Sequence, residues 1–246
     1  MEVHQHTHTP RKKWIHYFWE FLMLFLAVFC GFFAEYQLEH KIEKEKELQF
    51  IKSLSDDLRG DIKILEQSIA GQKTGIILLD SLLTIISDKQ LIKTNGDQLY
   101  YTARIGPRLN TLSNNNKTFE QLKNSGGFRL IRNTETANKI MAYYNGFHLI
   151  RLLEEIFLQE FGEYKKLAAK IFDPLVLRIM EREDGQISRH ANNPALRTYD
   201  PELLKELGVY IVYLNGTRRG ILPEEENLKQ AGNDLIIYLE KEYHLK

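Results

Sequence analysis

Residue types that do chemistry are thinly spread in this chain, and few stand at the spacing a reaction needs. His4, His6 and His8 alternate, so in an extended chain their imidazoles share one side, and imidazole suits zinc, copper and nickel. Only Glu2 is at hand to complete such a set, and ordering a tail costs entropy, so the three read as a solvated polar tail. His148 precedes Glu154, Glu155, Glu160 and Glu163 in a helical pattern. No second histidine stands four residues from it and no Glu-x-x-His pair occurs, so a metal site in a helical bundle lacks its ligands and His148 is expected to be half-buried. Gly71-Gln72-Lys73-Thr74 ends like a phosphate loop, but it lacks the Gly-Lys-Ser/Thr ending and follows a helix, so it reads as a helix terminus. Cys30 is the sole cysteine and sits in an apolar run, which leaves the rest of the chain without a disulfide, a zinc thiolate or a thiol nucleophile. There is no Gly-x-Ser-x-Gly elbow, and no serine has a recognisable local base. The expectation is therefore no catalytic residue, no cofactor and no metal; a cleft with paired, pKa-shifted carboxylates is what would reopen catalysis.

Charge narrows the partners. The 33 basic residues balance the 33 acidic ones, and setting aside Arg11, Lys12, Lys13, Glu2 and Glu20 leaves 30 against 31. A near-neutral body lacks the basic field that drives nucleic-acid binding, so nucleic acid is not expected as a partner.

One element is written plainly. Residues 14–34 read WIHYFWEFLMLFLAVFCGFFA, with Glu20 as the one carboxylate and His16 as the one histidine. As a helix at 1.5 Å per residue they extend about 31 Å, matching a hydrocarbon core of roughly 30 Å. Glu20 then lies near the membrane boundary, where Trp14, Tyr17 and Trp19 suit an aromatic belt. Arg11, Lys12 and Lys13 precede the run and mixed charges follow it, so the N-terminus is expected in the cytoplasm and the bulk of the chain in the periplasm. Cleavage is not expected, since cutting after Ala34 or Gly31 would put Phe32 or Phe29 at the −3 position, and Phe29 before Cys30 does not suit a lipoprotein signal. The expected organisation is a cytoplasmic tail (1–13), a transmembrane anchor (14–35) and an extracytoplasmic helical domain (36–246).

One stripe of the anchor helix carries His16, Glu20, Leu24, Ala27 and Gly31, at spacings of four and three. Intramembrane carboxylates usually face protein, and small residues four apart let helices approach closely. His16, Glu20, Ala27 and Gly31 are therefore candidates for packing on a second copy or on a partner membrane protein. The rival reading is that Glu20 snorkels to the headgroups and the small residues carry no meaning.

Beyond the anchor the pattern is helical throughout. Leu48, Ile51, Leu54, Leu58, Ile62, Leu65 and Ile69 step by three and four, predicting a stalk continuous with the membrane helix and loosened at Gly71 and Gly75. Ile76 to Ile86 is expected as a second, buried helix. Residues 87–118 are rich in turn formers around a short helix near Gln98 to Arg104. Thr118 with Gln121 looks like a capping box opening a short helix stopped by Gly126-Gly127. Thr134 or Asn133 caps a long helix reaching Ile171, with Pro174 a kink or break and more helix to about Arg182. Pro201 opens a helix ended by Gly220, and Pro223 starts the last one. The fold class is all-α: an N-terminal transmembrane helix, a stalk and a helical bundle.

After Gly126-Gly127, the cluster Phe128, Arg129, Ile131 and Arg132 offers a partner contact through Phe128, Arg129 and Arg132. Its rival is a bundle cap, with the apolar side chains inward and both arginines solvated.

The basic-aromatic start Arg11-Lys12-Lys13-Trp14, the stalk segment FIKSLSDDL (50–58) and above all TFEQLKNSGGFRLIRNTETANKIMAYYN (118–145) resemble a family of bacterial single-pass membrane proteins catalogued as a domain of unknown function. The resemblance spans most of the chain, though only 118–145 is specific. It implies topology and brings no activity or catalytic residue with it. The expected function is a non-enzymatic interaction or scaffold protein of the bacterial cell envelope, in contact with the bilayer and with a second copy or a membrane partner. Rivals are an extracytoplasmic ligand sensor signalling through a partner subunit and, less favoured, a hydrolase built from scattered side chains.

Overall fold

The computed structural model describes residues 14–189 and 191–245, so His4, His6 and His8 lie outside the described residues. The described residues form seven α-helices and one 3-10 turn, with no strand beyond an isolated antiparallel bridge between Glu181 and Ile187. The protein is all-α. It divides into two compact units with the boundary between Gln49 and Phe50.

In the first unit, residues 14–49 belong to helix α1 (Trp14–Ser87). This is the one helix among the described residues long and apolar enough to cross a membrane, and none of its most apolar window is buried. Phe21, Phe25, Phe29 and Phe33 stack at four-residue spacing, with ring centroids 6.1–6.4 Å apart.

The second unit is built on three long helices: residues 50–87 of α1, α5 (Thr134–Ile171) and α7 (Pro201–Glu242). Helix α7 runs antiparallel to α1, since Arg59 meets Glu240, Ser68 meets Glu225 and Asp80 meets Arg219. It is likewise antiparallel to α5, where Asn133 meets Glu242 and Glu160 meets Thr217. The return from α1 to α5 supplies the fourth member: α2 (Leu91–Thr94), α3 (Gly96–Ile105), a non-helical run over 106–116, α4 (Lys117–Asn124) and a 3-10 turn (Gly127–Leu130). Gln98 reaches Ser81, Asn115 reaches Asp61 and Thr118 reaches Asp57, so this member descends along α1. The result is an up-down-up-down bundle whose second member is broken in the middle. A short α6 (Pro174–Ile179) lies in the connection from α5 to α7.

Three expected boundaries move. Helix α1 does not loosen at Gly71 and Gly75, and 76–86 is its continuation. Helix α7 does not stop at Gly220, and Pro223 lies inside it. Breaking either would interrupt a buried face. In α7, Leu207, Ile211, Leu214, Arg218, Ile221, Glu225, Leu228, Gly232, Leu235 and Leu239 are buried at alternating steps of four and three. Packing along that stripe offsets the roughly 3 kcal/mol that an internal proline costs. Third, α4 begins at Lys117, and the Thr118 N–H is taken by Asp57 of α1 at 3.1 Å in place of a local capping box. Pro174 breaks the chain after α5, with Asp173 capping α6 through the Leu175 N–H, and that helix ends at Ile179.

Candidate functional site

The same heptad slots that bury Leu and Ile elsewhere carry polar residues over the middle stretch of the bundle. Along α1 the buried positions 51, 54 and 58 lead to Asp61 and Leu65, then to Ser68, Gln72 and Gly75, before Leu79 and Leu82 resume the apolar pattern. In α5 the slot between Ile150 and Phe157 is Glu154, and in α7 the slot between Leu214 and Ile221 is Arg218. Gln72, Glu154 and Arg218 fall between two apolar cores, and Asp61 lies within the second of them. One gathers Leu79, Leu82, Leu99, Phe157, Ile171 and Leu207. The other gathers Leu54, Leu65, Ile140, Phe147, Ile221 and Leu235. The polar layer sits where the second member of the bundle loses its helix.

Arg218 is 1% exposed and holds that break together. Its Nη1 donates to the Gln72 Oε1 at 2.8 Å, and its Nη2 donates to the Gly106 carbonyl at 3.1 Å and to the Arg108 carbonyl. The guanidinium carbon lies 4.8 Å from the centre of the Phe157 ring. Gly75 makes room for it: a β-carbon there would stand 2.5 Å from the Arg218 Cζ. Burial pulls Arg218 down to about 10, against the pull of Glu225, which favours its charge. Glu225 is fully buried, and its Oε1 accepts from Ser68 Oγ at 2.8 Å and Gln72 Nε2 at 3.3 Å. Gln72 thus ties the acid to the base through one amide. Arg218 Nε and Glu225 Oε2 have no protein partner.

The carboxylates nearby take the backbone N–H groups that a helix would have satisfied internally. Glu154 accepts from the Leu112 N–H at 2.6 Å, and Asp61 accepts from the Asn115 N–H at 2.5 Å and from the Tyr143 hydroxyl at 3.1 Å. Tyr144 donates to the Asn115 carbonyl at 3.2 Å. Burial raises Asp61 to about 6 and pushes Glu154 and Glu225 above the usual carboxylate range. The same burial raises Tyr143 and Tyr144.

Raised carboxylates are a signature of acid–base sites, but here Asp61 and Glu154 accept from backbone N–H groups and Glu225 accepts through Oε1 from Ser68 and Gln72. A cleft of about 660 Å³ lies between α1 and the 105–113 stretch and touches the layer on its Gln72–Arg218 side. Arg108, Thr74, Thr111 and Ser68 line it, and no carboxylate does. The arrangement is suited to holding a polar or anionic ligand and offers no acid–base pair to one. No group of three or more His, Cys, Asp or Glu among the described residues is placed to hold a metal ion.

The residues singled out from sequence lie elsewhere. His16 and Glu20 approach at 3.2 Å, Nε2 to Oε1, on one side of the first unit. Ala27 and Gly31 are exposed on the same stripe, and a β-carbon at Gly31 would meet nothing within 4 Å. Phe128 packs edge-on against Phe119, with centroids 5.8 Å apart, and Ile131 is buried in the core, while Arg129 and Arg132 are exposed. His148 is exposed on α5, not half-buried, and Gly71 to Thr74 lie in mid-helix. Sequence reading passed over the polar layer, although its signal was there: Asp61, Gln72, Glu154, Arg218 and Glu225 interrupt a three-four pattern that their neighbours keep apolar. No protein-family model matches this chain, and no curated protein or solved structure shows significant similarity to it.

Proposed function

We propose that this chain is a single-pass protein of the bacterial inner membrane, with a cytoplasmic N-terminus and a periplasmic body, acting as a non-enzymatic interaction or scaffold protein. The observation that carries the reading is the apolar stretch of α1, none of whose most apolar window is buried within the protein. A surface of that size in water is untenable, and a bilayer is the solvent that suits it. The body supports the non-enzymatic part, since Glu154, Asp61 and Asp57 each accept a backbone N–H of the 106–118 stretch. The family resembled in 118–145 has the same expected topology. The stripe of His16, Glu20, Ala27 and Gly31 and the Phe128, Arg129 and Arg132 cluster are its candidate contacts.

The test is an affinity pull-down of the full-length protein from gently solubilised membranes, beside Glu20→Leu and Gly31→Leu variants and a variant in which Phe128, Arg129 and Arg132 are replaced by Ser. Recovery of a stoichiometric partner or of a second copy supports the reading, and the variant that loses it locates the contact. A protein that comes down alone in every case sinks it.

A second reading is favoured by one observation: the cleft beside Arg218 reaches a buried guanidinium that retains an unpaired Nε. A ligand sensor of polar or anionic small molecules would use such a cleft. Thermal-shift screening of the full-length protein against small carboxylates and phosphates checks it, and a hit that survives Arg108→Gln unchanged counts against this cleft.

A further inference from the structure

The end of the bundle that carries Ser87 and Pro201 holds an apolar groove of about 920 Å³. Two antiparallel helices bound it, with Leu83 and Ile86 on α1 and Leu204 and Gly208 on α7. Ile86 and Ile92 lie at 8% and 5% exposure, whereas Val209, Val212 and Tyr213 are 54–61% exposed along one edge. The charged residues that line the groove are all lysines, Lys89, Lys93 and Lys205. Lys205 is held at 2.8 Å by Glu202, while Lys89 and Lys93 make no ion pair with any described residue.

Two kinds of occupant suit apolar walls with a cationic rim. An anionic acyl chain needs walls on all sides, and here one edge is more than half exposed, so a chain in the groove would stay partly in water. A helix brings its own second wall. Laid along the seam between two antiparallel helices, it covers Val212 and Tyr213 with its apolar stripe and turns its flanks toward the lysines. Aspartates and glutamates on those flanks meet Lys89 and Lys93, an arrangement that steers association and fixes register. Gly208 keeps the floor low, since a β-carbon there would come to ordinary contact, 3.6 Å from Leu83 and 3.8 Å from Ile86.

We propose that this groove docks an acidic amphipathic helix of a partner protein, its apolar stripe on Leu83, Ile86, Leu204 and Val212 and its carboxylates against Lys89 and Lys93. The proposal rests on the interaction-protein reading and names the surface and the kind of partner.

The test uses the full-length protein in nanodiscs of anionic lipid, with empty nanodiscs as the blank. The probe is a fluorescein-labelled synthetic helix of about 18 residues, with Leu at three-four spacing and Glu on both flanks. Fluorescence anisotropy is expected to show saturable binding that weakens at least about tenfold in the Lys89→Glu/Lys93→Glu double variant and with added salt. Gly208→Leu, which fills the floor, is expected to abolish it, while the exposed lysine variants leave the melting curve in place. Three results overturn the proposal: no saturable binding, equal binding of a Lys-flanked version of the probe, or displacement of the probe by a fluorescent fatty acid, which would make the groove an acyl site. A stoichiometric partner that still comes down with the double variant and Gly208→Leu would keep the interaction reading and remove this groove from it.

Discussion

Helix α1 contains two strongly apolar runs that meet opposite fates. Residues 21–34 read FLMLFLAVFCGFFA, and residues 76–86 read IILLDSLLTII. The first is exposed almost all round, with Phe21, Phe25 and Phe32 at 52–69%. In the second, Leu79 and Leu82 are fully buried, while Asp80 on the other side bonds Asn215 at 2.6 Å and Arg219 at 2.8 Å. Apolar content alone does not separate them. What does is the distribution: a run apolar on every side suits a solvent that is itself apolar, and a run with a polar side suits a bundle.

Substitutions sharpen that difference, each read by urea unfolding of the body in the full-length protein. The largest effect is expected at Arg218. Arg218→Met leaves Glu225 buried without the nearby positive charge and frees the Gly106 and Arg108 carbonyls, and a loss of about 3–5 kcal/mol is expected. The double variant with Glu225→Gln should recover part of it, because both charges then go together. Leu79→Ala is expected to cost about 2–5 kcal/mol as a core cavity, whereas Phe25→Ala in the other run should leave body unfolding within about 0.5 kcal/mol. A comparable loss from Phe25→Ala would mean that the two runs do not differ as argued.

Asp61 comes next. Asp61→Ala strands the Asn115 N–H and the Tyr143 hydroxyl and should cost about 1–3 kcal/mol. Its carboxyl stands at about 6 in the folded chain against an ordinary 3.8, so folding takes up a proton. The stability this group contributes is therefore fully present below about pH 4 and lost as pH rises through 6, by up to about 3 kcal/mol. Asp61→Asn keeps an acceptor for the Asn115 N–H, and its stability profile should be flatter between pH 4 and 7 than that of the natural chain. A profile unchanged by Asp61→Asn would mean the carboxyl is not held as described. The smallest effect on unfolding is expected in the first unit. Glu20→Leu and Gly31→Leu should not move it, yet should alter the species trapped by cross-linking in membranes; unchanged cross-links would leave that stripe without a packing role.

Much of the fold was legible. The cap at Thr134 or Asn133, the stop at Gly126 with φ 68°, the Pro201 start and the break at Pro174 depend on chemistry within a few residues, and the structure has each there, with Asn133 as the cap. Gly71, Gly75, Gly220 and Pro223 misled for a common reason: each weakens a helix locally, and each lies in a helix whose far side is buried against two others. The Thr118 capping box failed because a carboxylate distant in sequence, Asp57, took the N–H first.

The sequence by itself determined the all-α class, the long apolar helix and the absence of a thiol outside that helix, because these follow from composition and from periods of three and four. Only the tertiary structure decided that Gln72, Arg218 and Glu225 form one layer, that segment 106–116 leaves the helix beside them, and that Gly75 marks the approach of a guanidinium. Those facts depend on the register of three helices against one another. Register is set by the summed packing of whole faces, and no window of sequence contains it.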